Sequence, residues 1–485
     1  MPPFLNPELT RRTFGLGLAL VPVAIGEALK ANATPRLLDG YVDRQATTAA
    51  YRRVNVHVRS TVGRFRIRAW RTGWYRGAGK HLIWESGFLT ARSQPAARID
   101  PATRMVSCRW SASATLNTTS WPEGLYTLEL VAAGLSHRIP LVVESASMKG
   151  RPVIVFNDLT MQAYNHWGNY SLYTGPGRNS ATRSLKVSFD RPYDNPEEIE
   201  LGNAPLVRIA DSIAGLRPAY TTESRLASHP GLLAGARALL FSGHSEYWSQ
   251  SMRSAIEAAR DAGTNLVFFG ANNSYWRVRC ESANSDTFRT LVCYRDPALD
   301  PLARRDPRNA TTRWRDGPYA QPECSVTGAM YADMQASGTF TVTDPAFFAF
   351  AGTGARKGAT YAGLVGGEVD RVGNNRATPS PIHVFAHSPT RGYYNKAGFA
   401  DSCIYTVKSG AGVINLSSMY WLRALEDTRV PAASRAFGRK MTANIIQEAA
   451  IGPLGKLHRL PATTADKAAP LAVIPSIPAA APDKG

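Results

Sequence analysis

Three stretches, PVIVFN (Pro152 to Asn157), RALLFSG (Arg237 to Gly243) and NLVFFGAN (Asn265 to Asn272), are short unbroken apolar runs that end in small polar residues. A strand with one wet face alternates apolar and polar residues, so an unbroken run implies cover on both faces, as in a parallel sheet between helices. Between the second and third runs lies a helix signature. Ser249 stands at the N-cap, Met252, Ala255, Ile256 and Ala259 share one stripe, and Gly263 marks the stop. Strand, helix, strand in that order predicts a parallel crossover unit. GVINL (Gly412 to Leu416) reads as a further buried strand, and Phe437, Met441, Ile445 and Ala449 line a last helix.

Upstream the period changes to two. Val54, Val56 and Val58 alternate with polar partners, as do Phe65, Ile67 and Ala69, and then Tyr126, Leu128 and Leu130. This predicts an immunoglobulin-like β-sandwich over residues 34–147. An α/β domain follows over 148–458, with a mostly parallel sheet and flavodoxin or class I amidotransferase-like layering, so the fold class is α/β. Two stretches, Asp296 to Pro322 and Val372 to Pro381, read as long loops, and the Pro- and Ala-rich residues 459–485 as a disordered tail.

The first 33 residues read as a targeting segment. Arg11 and Arg12 precede an apolar run from Phe14 to Ile25, and Ala31-Asn32-Ala33 supplies a small-residue cleavage pattern. Such a run is shorter than the roughly 20 residues a membrane span needs. The expectation is export by the twin-arginine route to the periplasm or beyond, with no integral membrane segment in the mature chain. The net charge of +19 is spread along the chain and interleaved with acids, so no nucleic-acid partner is expected. Five cysteines form no CxxC pair, which argues against a thiolate zinc site. In an oxidising compartment Cys280 and Cys293 are the first choice for a disulfide.

Chemistry should sit where buried strands end. In SGHSEYWS (Ser242 to Ser249), His244 and Glu246 are two residues apart in an extended segment, so both side chains point the same way. The bland alternative makes Glu246 a helix cap and His244 a hydrogen-bonded loop residue. MQAYNHWGNYSLY (Met161 to Tyr173) places polar tips among rings after another strand end, although aromatic clusters more often serve packing. GGEVDRV holds Glu368 among glycines, where it otherwise reads as a turn acid. HExxH, GxSxG, GxxxxGK and the paired PCxxC of zinc deaminases are all absent.

WPEGLY, QAYNHWGNYSLY, VSFDRPY, SGHSEYWS, GANNSYWRVR and GGEVDR, in this order, resemble the large subunit of N,N-dimethylformamidase and its bacterial relatives, over roughly residues 50–450. That family holds a mononuclear ferric iron with two tyrosines and one glutamate, hard anionic donors suited to a highly charged ion. The resemblance implies Tyr126, Tyr164 and Glu246 as metal ligands, with His244 and Glu368 as the catalytic pair. It implies hydrolysis of a C–N bond in a small amide, in a pocket walled by Asn165, Trp167, Tyr170, Tyr247 and Trp248. With Tyr126 on the sandwich, the site would lie between the domains. A small partner subunit or a homo-oligomer is implied as well. Dimethylformamidase large subunits carry an extra N-terminal β-rich module that is not found here. Two other readings stay open: a glycosidase using Glu246 and Glu368 as a carboxylate pair, and a non-catalytic envelope protein attracted to acidic polymers.

Overall fold

The computed structural model describes residues 37–194, 196–284 and 287–460, so the expected export segment and the tail beyond residue 460 lie outside the described residues. The alternating strands of the N-terminal half form two sheets, one of three strands and one of six. Val54, Val56, Val58, Phe65, Ile67, Leu128 and Leu130 all turn into one core between them. Their period of two is what lets each strand line that core with every second residue.

The second half is built on a mixed nine-stranded sheet. Its strands are β1 (Pro152–Phe156), β2 (Ala219–Thr222), β3 (Ala238–Phe241), β4 (Asn265–Phe268), β5 (Met330–Thr341), β6 (Thr360–Arg371), β7 (Ile382–Arg391), β8 (Ala397–Thr406) and β9 (Gly412–Asn415). The spatial order is β2-β1-β3-β4-β9-β8-β7-β5-β6. The first five pair in parallel, and β9 onward to β6 pair antiparallel. The expectation of a mostly parallel sheet therefore holds only for the half whose strands are unbroken apolar runs. The antiparallel half comes from longer strands with mixed residues, which carry no such signal.

Alternate residues of the same central strands enter two separate cores. Ile154, Leu240, Val267 and Ile414 pack with helices α2 (Pro196–Ser212) and α5 (Ala432–Ile451), through Leu206, Met441 and Ile445 among others. Val155, Leu239, Phe268 and Val413 pack with α1 (Asp158–Tyr164), α3 (Glu223–Ser228) and α4 (Gln250–Asp261), through Leu159, Leu226 and Ile256. Helix α4 begins as its sequence indicates: Ser249 Oγ accepts from the Met252 amide.

Sandwich and α/β half are joined by a buried ion pair. Arg225 of α3 donates to both oxygens of Glu144, at 3.0 and 3.1 Å, and Thr221 donates to the same carboxylate at 2.9 Å. All five cysteines are free thiols. Cys280 pairs with Leu291 across its ladder, which leaves Cys293 two positions past the facing residue and unsuited to bridging it.

Candidate active site

Strands β3 and β4 both end in a glycine turn, and these turns are pressed together. A Cβ on Gly270 would lie 1.6 Å from the Gly243 carbonyl oxygen, and Gly243 has φ +60°. Only glycine allows this approach and this backbone. The contact sets the segment carrying His244 and Glu246 against the one carrying Asn272.

Glu246 is the centre of the cluster that results, and it is buried. Tyr173 donates from its hydroxyl to Oε1 at 2.8 Å and Oε2 at 2.6 Å, and Tyr164 donates to Oε2 at 2.9 Å. His244 Nε2 lies 3.1 Å from the same Oε2 and 3.3 Å from Glu368 Oε2. Asn272 Nδ2 donates to Glu368 Oε2 at 3.0 Å and reaches Glu246 Oε1 at 3.4 Å. The main chain holds these groups in turn. The Glu246 amide donates to Thr160 Oγ1, His244 Nδ1 faces the Ala271 carbonyl at 3.1 Å, and the Asn272 amide donates to Asp370. Glu368 falls at an irregularity of the β5–β6 ladder, next to Gly367 with φ +75°, and this turns it toward His244.

The charges are mutually dependent. Burial disfavours a charged His244, but Glu368, Glu246 and the Ala271 carbonyl overcome it and hold the imidazole at a pKa of about 10. Burial pushes Glu246 up, yet His244 and the Tyr173 hydroxyl keep it below its ordinary value. Glu368 is pushed up to about 7 by burial, against the pull of His244 and with the added repulsion of Glu246. Both phenols are held well above their usual range, by burial first and then by the Glu246 charge. They therefore stand as neutral donors to a carboxylate unless a cation displaces their protons. Tyr164 is the most exposed member of the cluster, with 37% of the residue's surface exposed, while its hydroxyl turns into the cluster.

Four of the residues singled out in the sequence thus meet: Tyr164, His244, Glu246 and Glu368. Tyr126 does not join them. It is fully buried in the sandwich core, stacked on Trp121 at 5.2 Å, and its hydroxyl is committed to the Pro122 carbonyl at 2.7 Å. Its place beside Glu246 is taken by Tyr173, nine positions after Tyr164 in the same aromatic motif. Of the expected pocket wall, Tyr247 is edge-on to Tyr164 and Tyr173. Trp248 instead packs beneath the site on Phe241 and Phe268, with Nε1 donating to Ser245 Oγ. Asn165 is consumed by local bonds to Gln162, Pro192, Trp167 and Asp194. Trp167 packs against Trp110, and Tyr170 offers only its carbonyl to Arg191. The side chain of Arg191, not a ligand pocket, gathers this part of the motif: it caps the carbonyls of Trp167, Tyr170 and Asn165. Asn272, inside GANNSYWRVR, was a site residue that sequence reasoning passed over. Its signal was the same as that of His244, a polar residue just past a buried strand.

Among the described residues, no helix is long and apolar enough to cross a membrane. No curated protein matches the chain. The profile of the N,N-dimethylformamidase beta subunit-like family, C-terminal region, matches residues 66–434, a span that contains every member of the cluster around Glu246. The chain belongs to that family.

Proposed function

We propose that this protein is an exported, iron-dependent hydrolase that cleaves the C–N bond of a small amide. The observation that carries the reading is the convergence of two phenols on one carboxylate, with a histidine and a second carboxylate beside it. Tyr164, Tyr173 and Glu246 are hard oxygen donors within hydrogen-bond distance of one another. Deprotonated together they would repel strongly, and a trivalent cation is the partner that such a set fits. Tyr173 replaces Tyr126 in this ligand set. A ferric ion held by Tyr164, Tyr173 and Glu246 would supply Lewis acidity for an amide carbonyl.

The protein groups have separable roles. Glu368, with its proton affinity raised toward neutrality, takes the proton of the attacking water as general base. His244, held in orientation by the Ala271 carbonyl, donates from Nε2 to the developing oxyanion or to the departing amine. Asn272 holds the Glu368 carboxylate in place. Tyr164, half open to solvent, forms the edge over which a substrate enters, on an α/β core of the flavodoxin-like kind expected from the sequence. A glycosidase using Glu246 and Glu368 is less well supported, because Glu246 already accepts from two phenols and faces His244. Twin-arginine export fits a protein that folds around its metal before translocation, and a partner subunit fits a beta-subunit-like chain.

The test is iron reconstitution of the purified protein with assay of small amides. The reading expects a visible phenolate-to-iron charge-transfer band and amide hydrolysis that a strong chelator removes. Protein that stays colourless and inactive after loading would refute it, and sugar hydrolysis that survives chelation would favour the carboxylate-pair alternative.

A further inference from the structure

Beside the cluster stand two guanidinium groups that the proposed chemistry does not use. Arg295 lies over the rings of Tyr173 and Trp276, 4.3 and 4.7 Å from their centroids. Its Nη2 donates to the Tyr247 hydroxyl at 3.2 Å, and its Nε is buried with no partner. Glu246 acts on it only at longer range, its oxygens being taken by the phenols, His244 and Asn272. Arg183 is the second: its Nη2 donates to the Tyr294 carbonyl, and its Nε is likewise buried and unpartnered. Burial, and then the positive charge of Arg295, pull Arg183 below its ordinary range.

Among the described residues, neither arginine has a carboxylate at ion-pair distance, whereas Arg225, Arg279 and Arg315 each do. Arg295 also adopts φ +66°, a left-handed conformation that a non-glycine residue takes at a cost. Two guanidinium groups with no carboxylate at ion-pair distance, in a partly desolvated setting and each with an unused Nε donor, form a fork suited to a planar anion. Tyr173, Trp276 and both arginines are each half-buried as whole residues.

We propose that Arg295 and Arg183 form a subsite for a small carboxylate next to the Glu246 cluster. The carboxylate is either one borne by the amide substrate or the one released when the amide is cleaved. Only this choice of source rests on the hydrolase reading; the anion site itself does not.

The experiment is calorimetric titration of the full-length protein with acetate, which is readable whether or not the protein hydrolyses anything. Saturable binding that weakens at least about tenfold in Arg295→Met and in Arg183→Met, and as chloride is raised, supports the subsite. Arg295→Lys keeps the charge but loses the planar fork, so it should bind at an intermediate strength even if Arg295→Met folds poorly. Absence of acetate binding to the wild type, or equal binding in Arg295→Lys and the folded Met variants, overturns the proposal. The source follows from kinetics with a neutral amide and an N-acylglycine. A KM raised only for the acylglycine in Arg295→Lys assigns the subsite to the substrate, and loss of acetate inhibition with both KM values unchanged assigns it to the product.

Discussion

Tyr173 donates to both oxygens of Glu246, at 2.8 and 2.6 Å, while Tyr164, stacked on Tyr173 with ring centroids 4.2 Å apart, reaches the same carboxylate at 2.9 Å. Both phenols lie within hydrogen-bond distance of the one carboxylate, so they should fail together. Tyr173→Phe and Tyr164→Phe are expected to lower iron retention by more than the roughly 10–100-fold that loss of an outer-sphere partner costs. Tyr126→Phe should keep the iron and the colour. It removes the hydrogen bond to the carbonyl of the exposed Pro122, which can turn to water, and should cost about 0.5–1.5 kcal/mol of stability. Metal analysis of the three variants, set beside their denaturant unfolding, checks both halves of this statement.

Glu368 is expected to act on the rate and not on metal binding. Glu368→Gln keeps the acceptor and donor geometry toward Asn272 and His244 but cannot take a proton, so kcat should fall by about 100–10,000-fold with iron content unchanged. Because burial and Glu246 push this carboxyl up to about 7, its base form fills as pH rises through neutrality. Activity should therefore be present above about pH 7 and lost below it, and the rising limb should vanish from the residual rate of Glu368→Gln. A pH series of kcat on both proteins measures this.

The strands and their ends were legible because apolar runs report burial directly: β1, β3, β4 and β9 lie where the runs are, and the Ser249 cap and the stripe of α4 follow the spacing. From the ends of those strands, the pairing of His244 with Glu246 followed from the two-residue period alone. Tyr126 was misassigned because a tyrosine on a sandwich strand carries the same local signal whether its hydroxyl reaches a metal or its own upstream carbonyl. Only the turn at Pro122, which brings that carbonyl to the ring's tip, decides between them. Tyr173 and Asn272 were in view inside motifs already singled out. What placed them at Glu246 was the path of the chain after α1 and the contact of Gly243 with Gly270, neither of which a linear pattern encodes.

The ion pair between Glu144 and Arg225 is buried on both sides, and Arg225 also faces His229 at 3.0 Å. Removing one partner leaves the other charge desolvated and alone. Glu144→Ala is expected to destabilise by about 3–5 kcal/mol, and the double variant with Arg225→Met to recover part of that loss, since an apolar pair no longer carries an uncompensated charge. Unfolding free energies of the two single variants and the double variant form the cycle that tests it.

Asp158 begins α1 fully buried, where it accepts from the Ser224 amide at 3.0 Å and from the Ser224 hydroxyl. Burial raises its pKa from 3.8 to about 6, more than the bonds from Ser224 lower it. The folded state therefore binds a proton that the unfolded chain has released between about pH 4 and 6, so stability falls as pH rises through that window. Asp158→Asn removes the titration and keeps the shape. Oδ1 still accepts from the Ser224 amide, and the new amide donates to Ser224 Oγ, whose own proton can turn to Thr222 Oγ1 at 2.9 Å. The variant should match the wild type near pH 4 and exceed it by about 1–3 kcal/mol at pH 8. Denaturant unfolding at pH 4, 5, 6 and 8 gives the comparison, and a difference that does not grow with pH would show that Asp158 is ionised in the folded protein throughout.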